Sequence, residues 1–406
     1  MKTSTPELRL DELLDEEVLH AKTRAEVSFD LAAGGLKDNL VLFGAGGFGR
    51  SINRKLRELQ IQPLAFADNN QALWGKRIDG TEVISPMQAA SLYGQHAVFV
   101  VSIWNGEAAD RMGDRVRQLK SLGCRVVLPF GHLFWKYHEA FLPHYCLDLP
   151  EKLLTQKHLV RAAMQLWSDN SSREEFVAQV GFRTSLDFDL ISRSVEGKHY
   201  FPPGLFSITD DEVFVDCGAF DGDTMADFVQ QTGGRFREFL AFEPDPITYP
   251  RLQARVESLD GGIRERIKIR QEATGRKPGT IDFQATGTML STTGSGSSVV
   301  PVTDLDSALA TVEPTYIKFD VEGFELEALM GAAQVLSRTR PILAVSLTTC
   351  RIIFGRFLFF WPPCCRNDIT SSSVRMALSP GTWFAMRFRK KGSAPISCRR
   401  ISRALA

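Results

Sequence analysis

Two short glycine-containing turns hold the residues best suited to chemistry. Each follows an apolar run and precedes a helical pattern: Gly44-Ala-Gly46-Gly47-Phe-Gly49 in the first half of the chain and Asp216-Cys-Gly218-Ala219-Phe220-Asp221-Gly222-Asp223 in the second. In an open parallel sheet, such a turn lets a ligand approach the backbone and the amino terminus of the next helix. An acid at the end of the next strand can bind ribose hydroxyls. Asp68 and Glu243 stand at those positions.

The charges of the two turns predict different ligands. The first turn has no acid and is followed by Arg50, which suits a pyrophosphate at the positive end of a helix. The second turn presents Asp216, Asp221 and Asp223, and these carboxylates would repel a phosphate. A cofactor with an adenosine end, no phosphate and a positive centre fits the second turn, which describes S-adenosylmethionine. The alternative is an acid-rich surface turn without a ligand.

The segment from Lys318 to Glu327 supplies the candidate catalytic groups. Asp320 is expected to project from the carboxyl end of a strand, beside the cofactor. Methyl transfer to a hydroxyl requires placement of the acceptor and, usually, a base for the departing proton. Asp320 is the first candidate for this base, Glu322 is the second, and His199 is a weaker one. Glu325 and Glu327 fit the first turn of a helix, where acids interact favourably with the helix dipole.

Alternating strands and helices must position these groups. Such alternation over residues 38–140 and again over 206–347 predicts parallel sheets with helices on both faces. The fold class is therefore α/β, with two tandem Rossmann-like, doubly wound parallel-sheet units. Within the second unit, a single helix is expected over 324–337.

Helical segments are predicted outside the two units. Residues 1–37 form an acidic lead-in with one amphipathic helix over 7–27. Residues 141–205 form a helical bridge with a helix over 151–167, followed by a capping box at Ser171-Ser-Arg-Glu174.

Overall composition is ordinary, but it changes abruptly near the carboxyl terminus. The 406 residues include 48 basic and 48 acidic side chains, which argues against a polybasic nucleic-acid binder and a generally disordered chain. Residues 348–406 hold 11 Lys and Arg residues against one acid, Asp368, without a sustained strand or helix period. An irregular C-terminal tail is expected there, with a basic membrane-surface patch as the functional alternative. The strand predicted at 341–346 would then be an exposed apolar edge.

Cysteine usage and the amino terminus predict the compartment. The seven cysteines form neither Cys-x-x-Cys nor Cys/His pairs, so neither a disulfide framework nor a metal site is expected. The amino terminus lacks the basic-then-apolar plan of a signal peptide, and Arg351 and Arg356 interrupt the long apolar stretch. The expectation is a cytoplasmic protein with no transmembrane segment.

An ordered set of motifs in residues 200–346 resembles the FkbM-type methyltransferases. The motifs are Val213-Phe-Val-Asp216-Cys-Gly218, Ala241-Phe-Glu243-Pro244, Ser297-Ser298, Leu305-Asp306, Lys318-Phe-Asp320-Val-Glu-Gly323 and Gly331-Ala332. The resemblance implies S-adenosylmethionine-dependent O-methylation of sugars, glycolipids or related natural products. By position it implies Asp216, Gly218 and Asp221 around the methionine part, Glu243 at the ribose, Glu272 and Ala273 at the adenine, and Asp320 at the pocket floor.

The resemblance also bears on the two ends of the chain. The first unit is similar to the small nucleotide-binding domain that precedes some bacterial sugar-modifying enzymes, which implies a nucleotide site at Gly44, Gly46, Gly47, Gly49 and Asp68. The methyl acceptor implied is then a hydroxyl of a small molecule or glycan, which includes a nucleotide-linked sugar. Nucleic acid is not expected as a partner. After Ser346 the resemblance stops. A change of reading frame within the codons for Leu347–Gly355 would explain the tail, and resequencing the gene tests this interpretation.

Two alternatives remain open at this point. One is a nucleotide-sugar-binding module attached to a disabled methyltransferase unit, which would bind cofactor without turnover. The other is an NAD-dependent sugar oxidoreductase or epimerase that uses Gly44–Gly49 and Asp68. That enzyme would need a Tyr-x-x-x-Lys pair or a similar proton relay, and the first unit has none in its sequence.

Overall fold

The structure is a computed structural model of the 406-residue chain. It describes residues 5–104, 111–144, 146–167, 169–191, 200–201, 206–285, 292–293, 298–346, 374–377 and 383–386. His199 and most of the tail lie outside these described residues.

Two helices, not one, form the amino-terminal segment: α1 (Pro6–Leu14) and α2 (Val18–Ala33). The single helix predicted over 7–27 is wrong in its middle, because Glu17 has an extended backbone (φ −69°, ψ 139°). Leu10 and Leu14 are buried in the core of the second unit, whereas Phe29 is buried in the core of the first. The segment therefore packs against both units.

The first unit is a six-stranded sheet flanked by helices. Its strands are β1 (Leu40–Phe43), β2 (Ala65–Ala67), β3 (Arg77–Ile78), β4 (Thr81–Ile84), β5 (Val98–Val101) and β6 (Val126–Pro129). Its helices are α3 (Gly47–Glu58), α4 (Pro86–Tyr93), α5 (Met112–Ser121), α6 (Phe130–Lys136) and α7 (His138–Phe141). The strand order is β3-β4-β2-β1-β5-β6, and only β3 runs antiparallel to its neighbour. β2 and β5 flank β1, so the first glycine turn opens where the order reverses.

Three helices form the bridge: α8 (Pro150–Thr155), α9 (Lys157–Met164) and α10 (Asn170–Ser185). The helix predicted over 151–167 is interrupted at Gln156, whose backbone (φ −112°, ψ 25°) leaves the helical region. The predicted capping box is also wrong. The cap of α10 is Asp169, whose Oδ1 accepts the Ser172 amide at 2.9 Å, and Glu174 instead pairs with Arg9 of α1.

The second unit is built on a seven-stranded sheet. Its first part comprises β7 (Val213–Cys217), α11 (Asp223–Thr232), β8 (Glu238–Phe242), α12 (Tyr249–Glu257), α13 (Gly261–Arg264) and β9 (Ile267–Arg270). A small sheet follows, with β10 (Ala273–Thr274), β11 (Gly279–Gln284), β12 (Thr292–Thr293) and β13 (Ser298–Thr303). The last part comprises α14 (Leu305–Ala308), β14 (Tyr316–Phe319), α15 (Glu325–Met330), α16 (Ala333–Thr339), β15 (Ile342–Ser346), β16 (Val374–Ala377) and β17 (Trp383–Met386).

The order of the large sheet is β16-β17-β15-β14-β7-β8-β9. The strands β9, β8, β7, β14 and β15 are parallel, as the alternating pattern predicts. β8 and β14 flank β7, so the loops after these three strands meet at one edge. The second glycine turn, Glu243 and Asp320 all stand in those loops.

The strand predicted at 341–346 is not an exposed edge. β17 pairs antiparallel with β15, with Ala385 opposite Ala344, and β16 pairs antiparallel with β17. The expectation of an unpaired edge is therefore wrong, because two short segments of the tail extend the sheet. The alternation in residues 374–386 is too brief to have predicted them.

The helix predicted over 324–337 is two helices, α15 and α16. The backbone leaves the helical region at Ala332 (φ −111°, ψ 5°). At the neighbouring Gly331, a Cβ atom would lie 2.0 Å from the Gly275 carbonyl oxygen. The side chain of Asp306 caps the amino terminus of α16: its Oδ1 accepts the amides of Gln334 and Val335 at 2.9 and 2.8 Å.

In the described part of the chain, no group of three or more His, Cys, Asp or Glu side chains could hold a metal ion. None of the described helices is long and apolar enough to cross a membrane.

Candidate cofactor-binding and catalytic site

A cleft opens at the carboxyl ends of β7, β8 and β14 and encloses about 850 Å³, part of it open to solvent. The second glycine turn lines it through Gly218, Phe220 and Asp223. The loops after β8 and β9 contribute Glu243, Glu272 and Ala273. The loop after β14 contributes Asp320 and Glu322. Eight of the residues predicted for this site therefore share one cleft.

Glycine is required at position 218 because two backbone segments meet there. Its φ of +84° is a conformation that L side chains rarely adopt, and a Cβ atom would lie 1.9 Å from the Asp320 carbonyl oxygen. The turn after β7 and the loop after β14 are thus in direct contact. Phe220, at φ +50°, also has the left-handed backbone conformation.

Glu243 joins the second strand of the unit to the glycine turn. Its Oε2 accepts the Phe220 amide at 2.7 Å, and its Oε1 accepts the Asp245 amide and the Thr248 hydroxyl, both at 2.9 Å. Burial raises the pKa of Glu243, while these hydrogen bonds act in the opposite direction. The carboxylate is held in one orientation at the wall of the cleft.

Four residues predicted for the cofactor do not line the cleft. Asp216 and Ala219 are fully buried behind it, and Gly222 is buried at the start of α11. Asp221 points instead toward α12, where its Oδ2 accepts from Arg255 Nη2 at 3.0 Å. Successive residues of a tight turn point in different directions, so only Asp223 among the turn's acids reaches the cleft.

A buried ion pair lies beneath the cleft. Lys318 Nζ is 2.8 Å from Asp216 Oδ1 and also donates to the Gly218 carbonyl at 2.8 Å. The two residues are directly opposite on β14 and β7. Burial raises the pKa of Asp216 to about 6, although the Lys318 ammonium opposes the shift. Burial alone would lower the pKa of Lys318, but the carboxylates of Asp216 and Asp320 raise it above its ordinary value.

The candidate bases Asp320 and Glu322 are next to one another in the cleft. Asp320 Oδ2 accepts from Tyr200 Oη at 2.6 Å and lies 4.0 Å from Lys318 Nζ. Burial, together with the charges of Asp320 and Glu325, raises the pKa of Glu322 well above its ordinary value. A raised pKa brings a carboxyl group closer to the working range of a general base near neutral pH. Glu322 also has a left-handed backbone, at φ +50°.

Glu325 and Glu327 stand at the start of α15, as predicted. Glu325 is fully buried, and its Oε1 accepts the amides of Val321 and Gly323 at 3.2 and 3.1 Å. It therefore holds the loop that carries Asp320 and Glu322.

Sequence reasoning missed Tyr200, Thr248 and Lys318 as parts of the site. Lys318 stands in a motif that carries the resemblance, but its position gives no sign that it pairs with Asp216. Tyr200 precedes the unit and belongs to no motif that the sequence analysis connects with the site. Its long-range contact with Asp320 could not be read from spacing.

The first glycine turn has a different geometry. Gly49 lies against the turn, since a Cβ atom there would be 1.9 Å from the Gly44 carbonyl oxygen, whereas Gly46 and Gly47 face open space. Asp68 Oδ2 accepts the Ala45 amide at 2.6 Å, and its Oδ1 accepts the Asn70 amide at 2.7 Å. One carboxylate oxygen of Asp68 therefore holds the backbone of the glycine turn, and the other holds the backbone of the loop after β2.

Comparisons with known proteins bear on the identity of the chain. Residues 216–363 match the family model of the methyltransferase FkbM domain. The match continues beyond Ser346, so the resemblance does not end where the sequence analysis expected; residues 347–363 lie outside the described part of the chain. No curated protein sequence matches the chain.

One solved structure shares the fold over most of the chain. The crystal structure of methyltransferase FkbM from Methylobacillus flagellatus KT is 20% identical, with a TM-score of 0.70 over 92% of this chain and 99% of that chain. A precorrin-6y C5,15-methyltransferase from Geobacter metallireducens GS-15 is 10% identical, with a TM-score of 0.28 over 46% of this chain and 84% of that chain. The first likeness extends over both units and the bridge. The chain therefore carries a methyltransferase domain of the FkbM family over residues 216–363.

Proposed function

We propose that the second unit binds S-adenosylmethionine in the cleft and transfers its methyl group to a hydroxyl of a sugar, glycolipid or related small molecule. The charge of the cleft carries this proposal. Its described lining includes the carboxyl groups of Asp223, Glu243, Asp245, Glu272, Asp320 and Glu322. Lys318 is the single Lys or Arg among those lining residues, and Asp216 and the Gly218 carbonyl occupy its ammonium.

These residues fit a cofactor with cationic groups and no phosphate. Glu243 would bind the ribose hydroxyls, because it is held at the end of β8 by three donors. Asp223 would attract the amino group of the methionine part, and Glu272 with Ala273 would lie beside the adenine. The bound cofactor would supply an electrophilic methyl group on a sulfonium centre.

The chain's own contribution is placement and proton removal. Asp320 would accept the proton of the acceptor hydroxyl, since it lies in the cleft at the end of β14. Glu322 is the second candidate. Phe242, Phe283 and Phe324 also line the cleft and would exclude water from the reacting groups.

The first glycine turn supports a subsidiary proposal, a nucleotide or nucleotide-linked ligand at the start of α3. Gly46 and Gly47 leave space in front of the helix, as a pyrophosphate would need. Asp68 would then have two roles: it would hold the turn that faces the pyrophosphate, and it would bind a ribose hydroxyl.

A methyl-transfer assay tests the main proposal. Purified chain is incubated with methyl-labelled S-adenosylmethionine and a panel of sugars, glycolipids and nucleotide sugars, and mass spectrometry locates any O-methyl group. With the best acceptor, Asp320→Asn should lower kcat by roughly 10²–10⁴-fold, whereas the exposed-site control Asp260→Asn should retain wild-type kcat. Cofactor binding without any turnover would instead favour a disabled methyltransferase unit. Methylation at nitrogen or carbon would contradict the hydroxyl assignment.

A further inference from the structure

Tyr200 lies outside the matched family segment, yet its side chain enters the cleft. It lines the cleft beside Asp320 and donates its hydroxyl hydrogen to Asp320 Oδ2 at 2.6 Å. Among the described residues, no other hydrogen bond to the Asp320 carboxylate is found, so Oδ1 is left to the cleft. The Tyr200 hydroxyl therefore occupies Oδ2 of the candidate base.

The position of Tyr200 is fixed by its neighbours. Its carbonyl oxygen accepts a hydrogen bond from the hydroxyl of Tyr316, which is fully buried on β14. The next residue, Phe201, is buried and packs against Phe214 and Tyr316, with ring centroids 5.8 and 6.0 Å apart. These contacts anchor the backbone at Tyr200 and Phe201 against β7 and β14, and the Tyr200 side chain lines the cleft.

Tyr200 also stands between two charged groups that form a long ion pair without a direct hydrogen bond. Lys318 Nζ lies 4.0 Å from Asp320 Oδ2, beyond hydrogen-bond distance, and 4.8 Å from the centroid of the Tyr200 ring. Two of its three donors are used by Asp216 and the Gly218 carbonyl. The third could reach Asp320 after a small movement. The Tyr200 hydroxyl already occupies the Asp320 oxygen nearest the ammonium, and the ring face stabilises the ammonium where it is.

A direct bond between Lys318 and Asp320 would impair the proposed base. A carboxylate bonded to an ammonium holds its negative charge more firmly and accepts a proton less readily. Keeping these two side chains apart therefore preserves the basicity of Asp320.

We infer that Tyr200 is a positioning residue for methyl transfer, which orients Asp320 through its hydroxyl and keeps Lys318 directed at Asp216. This inference rests on the proposed function, because it assigns Asp320 as the base. Its structural part concerns the free protein and does not depend on an acceptor.

The test uses Tyr200→Phe, which removes the hydroxyl and keeps the ring. In a crystal structure of the variant, we expect the distance from Asp320 Oδ2 to Lys318 Nζ to contract from 4.0 Å to a direct hydrogen bond of about 3 Å. With the acceptor from the methyl-transfer panel, kcat should fall at least about tenfold, while the Kd for S-adenosylmethionine stays within twofold. Tyr249→Phe is the control, because Tyr249 packs in the same core without lining the cleft.

Several outcomes separate the inference from the proposed function. An Asp320 side chain that keeps its position and its distance from Lys318 in Tyr200→Phe would overturn the positioning role. So would an equal loss of kcat in Tyr249→Phe. If Tyr200→Phe does not fold, the structure of Asp320→Asn provides the second test: Tyr200 should stay in place while Lys318 remains on Asp216, and a displaced Tyr200 ring would contradict the anchoring. Failure of the wild-type chain to bind S-adenosylmethionine would overturn the proposed function alone.

Discussion

The backbone amide of Phe220 donates a hydrogen bond to Glu243 Oε2 at 2.7 Å, and this contact ties the glycine turn after β7 to the end of β8. Two segments separated in sequence thus form one wall of the cleft. In the proposed function the same carboxylate would also bind a ribose, so it would combine a structural role in the free protein with a binding role in the complex.

Replacement of Glu243 should weaken cofactor binding strongly. Glu243→Ala removes the acceptor for the ribose and leaves the Phe220 amide unpaired. Hydrogen bonds to charged groups contribute about 1.5–3 kcal/mol, which corresponds to a rise in Kd of roughly 10- to 150-fold. Calorimetric titration of S-adenosylmethionine measures this rise. The exposed Glu265 provides the control Glu265→Ala, and equal affinities of Glu243→Ala and this control would refute the ribose assignment.

The two acids of the glycine turn should differ in their effect on cofactor binding. Asp223 lines the cleft, whereas Asp221 pairs with Arg255 of α12. Asp223→Asn should therefore raise the Kd for S-adenosylmethionine several-fold, while Asp221→Asn should leave it near the wild-type value. Both variants remove one negative charge from the same turn, so they control for each other. A larger loss in Asp221→Asn would show that this turn rearranges when the cofactor binds.

The buried pair of Lys318 and Asp216 should reveal itself in unfolding experiments. Lys318→Met leaves an unpaired carboxylate in the core and should lower the free energy of unfolding by about 3–5 kcal/mol. The double variant Lys318→Met with Asp216→Leu replaces both charges by apolar groups and should be less destabilised than the single variant. Guanidinium unfolding followed by circular dichroism measures both.

The pair of Lys268 and Glu238 is the matched control for that prediction, because Lys268 is 65% exposed. Lys268→Met should change the free energy of unfolding by no more than about 1 kcal/mol. For the buried pair, the loss of unfolding free energy in the Lys318→Met, Asp216→Leu double variant could equal the sum of the losses in the two single variants. That result would show that Lys318 and Asp216 do not interact.

Acid should destabilise the fold through a partly buried histidine. Burial, with a smaller effect of the Arg24 charge, lowers the pKa of His132 to about 4. In the unfolded chain it is near 6.5, so between these values the unfolded state binds more protons and stability falls as the pH falls. His132 alone should make the fold about 2 kcal/mol less stable at pH 5 than at pH 7. Unfolding of His132→Gln at both pH values should show a smaller loss, and the exposed-site variant His96→Gln should match wild type.

Sequence could predict the parts of the site that follow from strand order. Gly218, Glu243 and Asp320 each follow a parallel strand, and the carboxyl ends of neighbouring parallel strands meet at one edge. The direction of each side chain could not be predicted in the same way. Asp221 and Asp223 carry the same charge and lie two residues apart in a tight turn, so the sequence does not show which of them faces the cleft. Their difference depends on Arg255, which a helix from another part of the chain presents.

Long-range contacts account for the other differences from the sequence-based predictions. Tyr200 contributes to the cleft through Tyr316 and Asp320, more than a hundred residues away, and no local pattern reports such a pairing. Between α15 and α16, Gly331 likewise approaches Gly275 of a distant segment. The β16 and β17 strands are four residues each, too short for a periodic pattern to distinguish from an irregular segment.

Calorimetric titration of S-adenosylmethionine into the full 406-residue chain tests the central claim most directly, with NAD and UDP as parallel ligands. We expect saturable binding of one S-adenosylmethionine to the second unit. Glu243→Ala should abolish or strongly weaken this binding, and NAD or UDP at the first unit should not affect it. Absence of S-adenosylmethionine binding by a chain shown to be folded, or displacement of S-adenosylmethionine by NAD, would contradict it.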